Sequence, residues 1–209
     1  MAHTSGIVNH RWDLKPSEAL QLQQELRAKV IIQPFNRPIK YIGGADISYN
    51  KGSLELYAGI VVLEYESQEV VAWSTVVHQS TFPYIPGLLS FRELQPLMAA
   101  WRRIPLIPGC AKKNLMGHYD APKLERGSYS PIRHREETLG YALCTKDKVK
   151  PVFISPGYAI SLEESREVAL HCARGYKIHE PTRQAHQQVN RLRMGAISAG
   201  TWQKESEGA

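Results

Sequence analysis

Apolar residues recur along the chain with two different spacings. Leu20, Leu22 and Leu26 form part of an apolar stripe behind Pro16, which suits a first helical turn, and they predict a helix over 16–29. Three runs rich in apolar residues follow, and polar turn residues separate them. This pattern predicts three consecutive antiparallel strands over 41–48, 54–65 and 70–78.

The second half of the chain predicts helices and strands in turn. A helix over 90–103 is indicated by apolar residues at helical spacing behind Ser90, its predicted N-cap. A helix that begins near Ser161 and ends near Gly175 is indicated by the capping box that Ser161 forms with Glu164. The remaining predicted elements are strands over 138–144 and 151–155 and a last helix over 182–193.

This order of elements predicts a single α/β domain. A chain of 209 residues is long enough for one domain of ordinary size. We expect that domain over residues 1–195, with an antiparallel three-strand meander in a mixed sheet flanked by helices. Residues 196–209 are small and polar, so we expect a frayed tail.

Composition indicates a folded protein rather than a disordered or membrane-spanning one. The chain is 43% hydrophobic and 22% charged, which permits a buried core. Its longest apolar run, 58–63, is far too short to span a bilayer, and no secretory signal is visible. Three widely spaced cysteines favour a reduced, cytoplasmic protein.

Basic residues concentrate in two stretches, 101–135 and 171–193, and the formal net charge is +6. If the fold brings these stretches together, they form one surface that faces phosphates. The alternative, which charge alone favours, is two solvated faces that point in different directions.

Two carboxylates are candidates for a metal site. Asp46 follows Gly43 and Gly44 within an apolar strand, where a carboxylate is costly unless it is paired, hydrogen-bonded or bound to metal. Glu93 lies in the predicted first turn of the 90–103 helix, where the helix dipole favours an anion. Together they suit Mg²⁺, which activates water for phosphodiester hydrolysis. The ordinary alternatives are an edge or turn aspartate and a helix-start glutamate.

Three further features could contact nucleic acid. Tyr84 stands between two prolines, so it is held on a stiff loop and could wedge between bases. The commoner alternative is a core-facing tyrosine. Lys112 and Lys113 could neutralise phosphates, and His186 could line a cleft, although such residues are more often ordinary surface residues.

Taken together, these segments resemble the Endonuclease V family, the deoxyinosine 3′ endonucleases. The matching segments are 43–48, 83–87, 90–93, 109–113, 151–157 and 180–183, and they are spread in the family's order over most of residues 13–194. The resemblance implies an RNase H-like fold and action on DNA containing deoxyinosine. The sequence leaves RNA open as a substrate, and a monomer is the simplest expectation. The resemblance also implies cleavage of the second phosphodiester bond 3′ to the lesion, with Mg²⁺ or Mn²⁺, leaving 3′-hydroxyl and 5′-phosphate ends.

The resemblance also assigns roles to individual residues. It implies that Asp46 and Glu93 hold the metal. It also implies that Lys112 lies near the phosphate and His186 near the cleft. The wedge that opens the strand would consist of Pro83, Tyr84, Ile85 and Pro86.

The chain departs from the family in its middle. Family members carry a buried strand there with an Asp-Gly-His-Gly-like motif, a second metal-binding aspartate and part of the base pocket. Here only 102–108 joins the two flanking motifs, and no acid lies between Glu93 and Asp120. We therefore expect a sheet that lacks one central strand and helix. Two rivals follow: a protein that binds inosine-containing or branched nucleic acid without cutting it, and a partner-dependent fragment without its own function.

Overall fold

The computed structural model describes residues 11–105 and 118–204, which form four helices and seven strands. In chain order these are α1 Pro16–Arg27, β1 Tyr41–Ser48, β2 Glu55–Glu64, β3 Val70–Gln79, α2 Leu89–Trp101, β4 Tyr129–His134, β5 Glu137–Leu143, β6 Val152–Ile154, α3 Leu162–His171, α4 Glu180–Arg193 and β7 Gly200–Gln203. The strands form two sheets, in the orders β1-β2-β3-β7 and β4-β5-β6. Their pairs are antiparallel.

The predicted three-strand meander forms the centre of the larger sheet. β1 pairs with β2 along its full length, and the register places Asp46 opposite Gly59. β2 is almost wholly buried, in keeping with its nearly continuous apolar sequence. Both faces of this sheet are therefore covered.

The two faces carry different helices. α2 packs on one face, against a core that includes Ala58, Ile60 and Ala72. α4 packs on the other face, where Ala185 joins a cluster with Ile42. Side chains alternate along a strand, so Ile42, Gly44 and Asp46 of β1 face α4.

The smaller sheet is held by α3 and by a long-range cap. Leu143, Ile154 and Ala169 form its buried core. Ser161 and Glu164 make the predicted capping box at the start of α3. The Glu164 carboxylate also accepts from the amide of Phe35 at 2.9 Å, which ties the segment before β1 to this helix. These backbone hydrogen bonds hold the pKa of Glu164 below its usual value.

Two sequence predictions about chain ends and caps differ from the structure. Leu88, not Ser90, is the N-cap of α2, and no side chain caps that helix, so Glu93 lies in its second turn. Part of the expected frayed tail instead forms β7, which pairs with β3. Four backbone pairings compensate there for a polar and exposed sequence.

β4 is an element that the sequence pattern does not predict. Its sequence contains Pro131 and two basic residues, which weaken a strand pattern. β4 is an edge strand of the smaller sheet, where proline is tolerated. No helix in the described part of the chain is long and apolar enough to cross a membrane.

Candidate active site

Asp46 lies where β1 and α4 make their closest approach. A Cβ placed on Gly44 would lie 2.0 Å from the carbonyl oxygen of Pro181, in the first turn of α4. Only glycine allows the two backbones to touch in this way. The contact fixes the start of α4 over β1, two residues from Asp46.

The Asp46 carboxylate is paired with a histidine of α4. Oδ2 of Asp46 and Nδ1 of His186 are 2.8 Å apart. The Asp46 side chain is 23% exposed, whereas that of His186 is 60% exposed. The pair therefore has one half-buried member that is fixed by the sheet and one member that faces solvent. The hydrogen bond to His186 offsets the free-energy cost of placing a carboxylate in an apolar strand.

Asn190, one turn further along α4, determines the orientation of the histidine ring. Its Oδ1 is 3.5 Å from the donor atoms Ser48 Oγ and Arg193 Nη2, so Nδ2 is the atom that faces His186. Nδ2 donates to Nε2 of His186 at 2.9 Å. Nε2 is then an acceptor, and the ring proton is on Nδ1, which donates to Asp46.

Asn190 is a site residue that sequence reasoning missed. Its spacing of four residues from His186 on a predicted helix places both side chains on one face. That spacing is the signal that could have identified it.

Glu93 reaches the sheet from the opposite side. It is half-buried, and its helix contacts β1, β2 and β3. Residues three, four and seven positions further on pack toward the sheet, namely Pro96, Leu97 and Ala100. Helical spacing places Glu93 on the same inward face, near the start of α2.

A divalent cation would find a limited set of donors here. Within residues 11–105 and 118–204, no group of three or more His, Cys, Asp or Glu side chains is placed to hold a metal ion. Mg²⁺ does not need such a group, because one or two carboxylates plus water and substrate phosphates are enough. Asp46 and Glu93 therefore have the right donor chemistry for Mg²⁺, but they project from elements on opposite faces of the larger sheet.

The proline loop holds Tyr84 outward. Phe82 is buried against Phe91, and Nη1 of Arg92 donates to the Phe82 carbonyl at 3.1 Å. At the other end of the loop, Gln23 donates to the Gly87 carbonyl at 2.9 Å. Tyr84 between them is 59% exposed, so the alternative of a core-facing tyrosine is wrong. Pro83 and Pro86 are exposed as well, whereas Ile85 packs against the cluster around Phe82.

A cavity of about 670 Å³ opens beside Asp46 and His186. Both residues line it, together with β6 and the inner face of α3. Its other lining residues are largely apolar. The site therefore combines a hydrogen-bonded acid–histidine pair with an apolar recess.

Several bases of the 171–193 stretch are committed to internal contacts. Arg183 donates through Nε to the buried Glu180 at 2.7 Å, which lowers the pKa of Glu180 and raises that of Arg183. Arg174 donates to the Glu66 carbonyl, and Arg193 donates to Asn50. These groups hold the fold together. Lys112, a predicted phosphate ligand, lies outside the described residues.

Comparison with known proteins gives one consistent result. The sequence model of the Endonuclease V family matches this chain over residues 24–108 and 103–187. Endonuclease V of Myxococcus xanthus is 38% identical over 215 alignment positions, which cover 88% of this chain and 92% of that protein.

Solved structures agree with the sequence comparisons. Endonuclease V from Streptomyces avermitilis has a TM-score of 0.81 and 29% identity, covering 91% of this chain and 98% of that one. Endonuclease V from Ciona intestinalis, in complex with a 23mer DNA containing an inosine followed by a ribo-adenosine, has a TM-score of 0.75 and 23% identity. That match covers 88% of this chain and 100% of that one. The RNase H-like α/β fold implied by the resemblance is confirmed.

Proposed function

The chain belongs to the Endonuclease V family of DNA endonucleases, and from this premise we propose that it recognises deoxyinosine and other deaminated bases in DNA. In this proposal it hydrolyses the second phosphodiester bond 3′ to the lesion and leaves 3′-hydroxyl and 5′-phosphate ends. The observation that carries the proposal is the Asp46–His186 pair, which stands at the mouth of the recess beside β1.

Asp46 and Glu93 are the proposed ligands of Mg²⁺, or of Mn²⁺ in its place. When bound, the ion polarises the scissile phosphate and lowers the pKa of a bound water. Asp46 projects toward α4 and Glu93 lies on α2, on the other face of the sheet, so the proposal requires both side chains to reach one ion past the edge of β1. Two hard oxygen donors with room for water and phosphate match the preference of Mg²⁺.

His186 and Lys112 are the proposed partners of the phosphate. The Asp46 carboxylate and the Asn190 amide hold the imidazole of His186 from both ring nitrogens, at 2.8 and 2.9 Å. A ring held in this way is oriented before the substrate arrives, which lowers the cost of positioning it. Lys112 contributes a cation for the charge that develops on the phosphate.

Tyr84 is the proposed wedge, with Pro83, Ile85 and Pro86 as its support. An exposed aromatic ring on a loop anchored at both ends can replace a base in the stack while the damaged base swings out. The two prolines limit the conformational entropy that the loop loses on binding.

The proposal also covers the substrate, the oligomeric state and the cellular compartment. We place DNA with deoxyinosine first and RNA second as substrates, and the working unit as a monomer. The thiols of Cys144 and Cys172 are free and buried. Free thiols support a reducing compartment, the cytoplasm.

A nicking assay on an inosine-containing duplex, with Mg²⁺ or Mn²⁺, tests the activity. We expect cleavage by the wild-type chain that is lost in Asp46→Ala and in Glu93→Ala. Asp13→Ala is a matched control, because that carboxylate is 80% exposed and far from the site in sequence. Loss of cleavage in the control as well would indicate general damage rather than a site.

The second candidate function is a binder that does not cut. The short connection between α2 and residue 118 favours it, because the family model matches the chain in two pieces that meet at 103–108. Tight binding of the inosine duplex without any nick, with either metal, would favour the binder over the nuclease.

A further inference from the structure

The cavity beside Asp46 lies between the edges of two sheets. Its lining includes Ile42 and Gly43 of β1 and all three residues of β6. In the described part of the chain, β1 is the terminal strand of one sheet and β6 is the terminal strand of the other. Two strand edges without a pairing partner among the described residues therefore border one recess.

The backbone of Gly43 faces this recess. The amide of Tyr65 donates to the carbonyl of Lys40 at 2.9 Å, so these residues form a hydrogen-bonded pair at the start of the β1–β2 ladder. Pairing alternates along an antiparallel ladder, so the even-numbered residues of β1 bond to β2. The N–H and C=O of Gly43 then point to the open edge, and Gly43 lines the cavity.

The rest of the lining offers apolar contact and one unsatisfied hydroxyl. Ile42, Val168 and Ala169 contribute apolar surface. Ser155 is 5% exposed, lines the cavity, and its Oγ has no hydrogen-bond partner among the described residues. A buried hydroxyl is normally bonded. An occupant with backbone donors and acceptors would satisfy it.

The sequence comparisons show where relatives carry extra chain. The Myxococcus xanthus alignment has 215 positions, but it takes in only 88% of the 209 residues here, about 184. About 31 positions of the alignment, 215 less 184, thus have no counterpart in this chain. The two pieces of the family match overlap at 103–108, just after α2, which places the discontinuity there.

We propose that the recess between β1 and β6 is a docking slot for one extended, apolar peptide strand that another polypeptide supplies. Such a strand would pair with the outward backbone of Gly43 on one side and with the β6 edge on the other. Strand addition of this kind takes its affinity from main-chain hydrogen bonds and its specificity from side-chain contacts. The extra segment that the alignment indicates in the Myxococcus xanthus relative is the template for testing such an occupant.

The test uses a synthetic peptide with the 31 residues of the Myxococcus xanthus relative that lack a counterpart. We expect one-to-one binding by calorimetry and a higher melting temperature of the complex. A scrambled peptide of the same composition should do neither. Binding of both peptides alike would overturn the proposal, as would binding of neither.

Two variants at one position locate the peptide. Gly43→Pro removes the outward N–H, whereas Gly43→Ala retains it and tests the effect of an added side chain. We expect about fivefold to tenfold weaker peptide binding for Gly43→Pro than for Gly43→Ala, the effect of one lost hydrogen bond. Equal affinity for the two variants would place the peptide elsewhere on the molecule.

A grafted variant keeps the test decisive if Gly43→Pro fails to fold. In the grafted variant, the 31 residues of the relative replace the direct connection at 103–108. We expect the graft to melt at a higher temperature and to lose binding of the free peptide, because its own strand fills the slot. Undiminished peptide binding by the graft would contradict the proposal.

A second copy of this chain is the competing occupant. Light scattering with and without peptide distinguishes the two. A monomer that binds one peptide supports the proposal, whereas a dimer that the peptide does not dissociate overturns it. These measurements use no nucleic acid, so a negative result leaves the proposed nuclease activity untouched.

Discussion

His186 donates from Nδ1 to Oδ2 of Asp46 over 2.8 Å, although 140 residues separate the two along the chain. The pair joins β1 to α4, the last helix in the described part of the chain. Its geometry depends on the seating of α4 over Gly44 and on the grip of Asn190 on the other ring nitrogen. A hydrogen bond from the Asn190 amide makes Nε2 of the ring an acceptor, so the proton on Nδ1 is directed at the carboxylate.

Replacing His186 with alanine should lower the rate of inosine-directed nicking about a hundredfold to ten-thousandfold, the usual range for a positioned proton-transfer group. The melting temperature should change little, because the side chain is 60% exposed. Single-turnover nicking and thermal melting check both points. Gln187→Ala, at the exposed neighbouring position, should nick at the wild-type rate. Full activity in His186→Ala would remove the histidine from the mechanism.

Adding one methyl group at Gly44 should be severely destabilising. The new Cβ would lie 2.0 Å from the backbone oxygen of Pro181, so strand and helix must separate. We expect Gly44→Ala to lower the free energy of unfolding by about 3 kcal/mol or more. Gly200→Ala is the matched control in a strand, since no atom lies within 4 Å of its added Cβ. Urea unfolding compares the two, and equal stability would contradict the close approach.

The Glu180–Arg183 pair should make stability depend on acid pH. Hydrogen bonds from Arg183 hold the pKa of Glu180 below its ordinary value of 4.5, so the stabilisation is fully present above that value. It is lost as pH falls through the lowered pKa. Glu180→Gln should therefore lose about 1 to 2 kcal/mol at neutral pH and approach the wild type in acid. Melting curves from pH 7 downward measure this. If the difference in stability between Glu180→Gln and the wild type stayed constant across that pH range, the Glu180–Arg183 pair would not be the cause.

Removing the ring of Tyr84 should weaken recognition but not folding. The ring is 59% exposed, so Tyr84→Ala should leave the melting temperature nearly unchanged. Loss of one stacked aromatic should reduce affinity for the inosine duplex by about fivefold to a hundredfold. Fluorescence anisotropy measures the affinity. Tyr84→Phe should retain most of it, since the stacking surface remains, and a loss as large as that of the alanine variant would point to the hydroxyl instead.

Cys172 should be inert toward alkylation in the folded protein. Burial raises the pKa of its thiol from 9.0 to about 11, which reduces the thiolate fraction near neutral pH about a hundredfold. Treatment with iodoacetamide at pH 8, followed by peptide mass mapping, should leave Cys172 unmodified. The same treatment in urea should modify it. Rapid modification without urea would show that the cluster around Cys172 opens readily.

The elements that the sequence predicts correctly are those with local signals. The meander over β1, β2 and β3 follows from apolar runs and turn residues, and the start of α3 follows from its capping box. β4 escapes prediction because Pro131 breaks its pattern, and β7 escapes because its four residues gain order only by pairing with β3. Ser90 is a residue type that favours the N-cap position, yet it lies exposed within the helix, because α2 already begins at Leu89, with Leu88 as its N-cap.

The candidate site is less accessible to pattern reasoning than the fold. Asp46 and His186 can be selected by residue type, but their contact depends on how α4 crosses β1, which no local signal encodes. The spacing of four residues between His186 and Asn190 is visible in the sequence. It identifies Asn190 as a site residue only once the structure shows that the Asn190 amide donates to the His186 ring. The recess between the sheets has no sequence signature at all, since it arises from the separation of β1 and β6.

The meeting of Gly44 with Pro181 has a practical consequence for protein engineering. Main-chain atoms of strand and helix are in direct contact there, so we expect changes at exposed positions of the recess wall to leave the acid–histidine couple in place. A library that randomises the exposed residues Tyr158 and Ile178 would change the shape and polarity of the opening on a fixed frame. This surface is therefore a natural starting point for selecting variants with altered ligand preference.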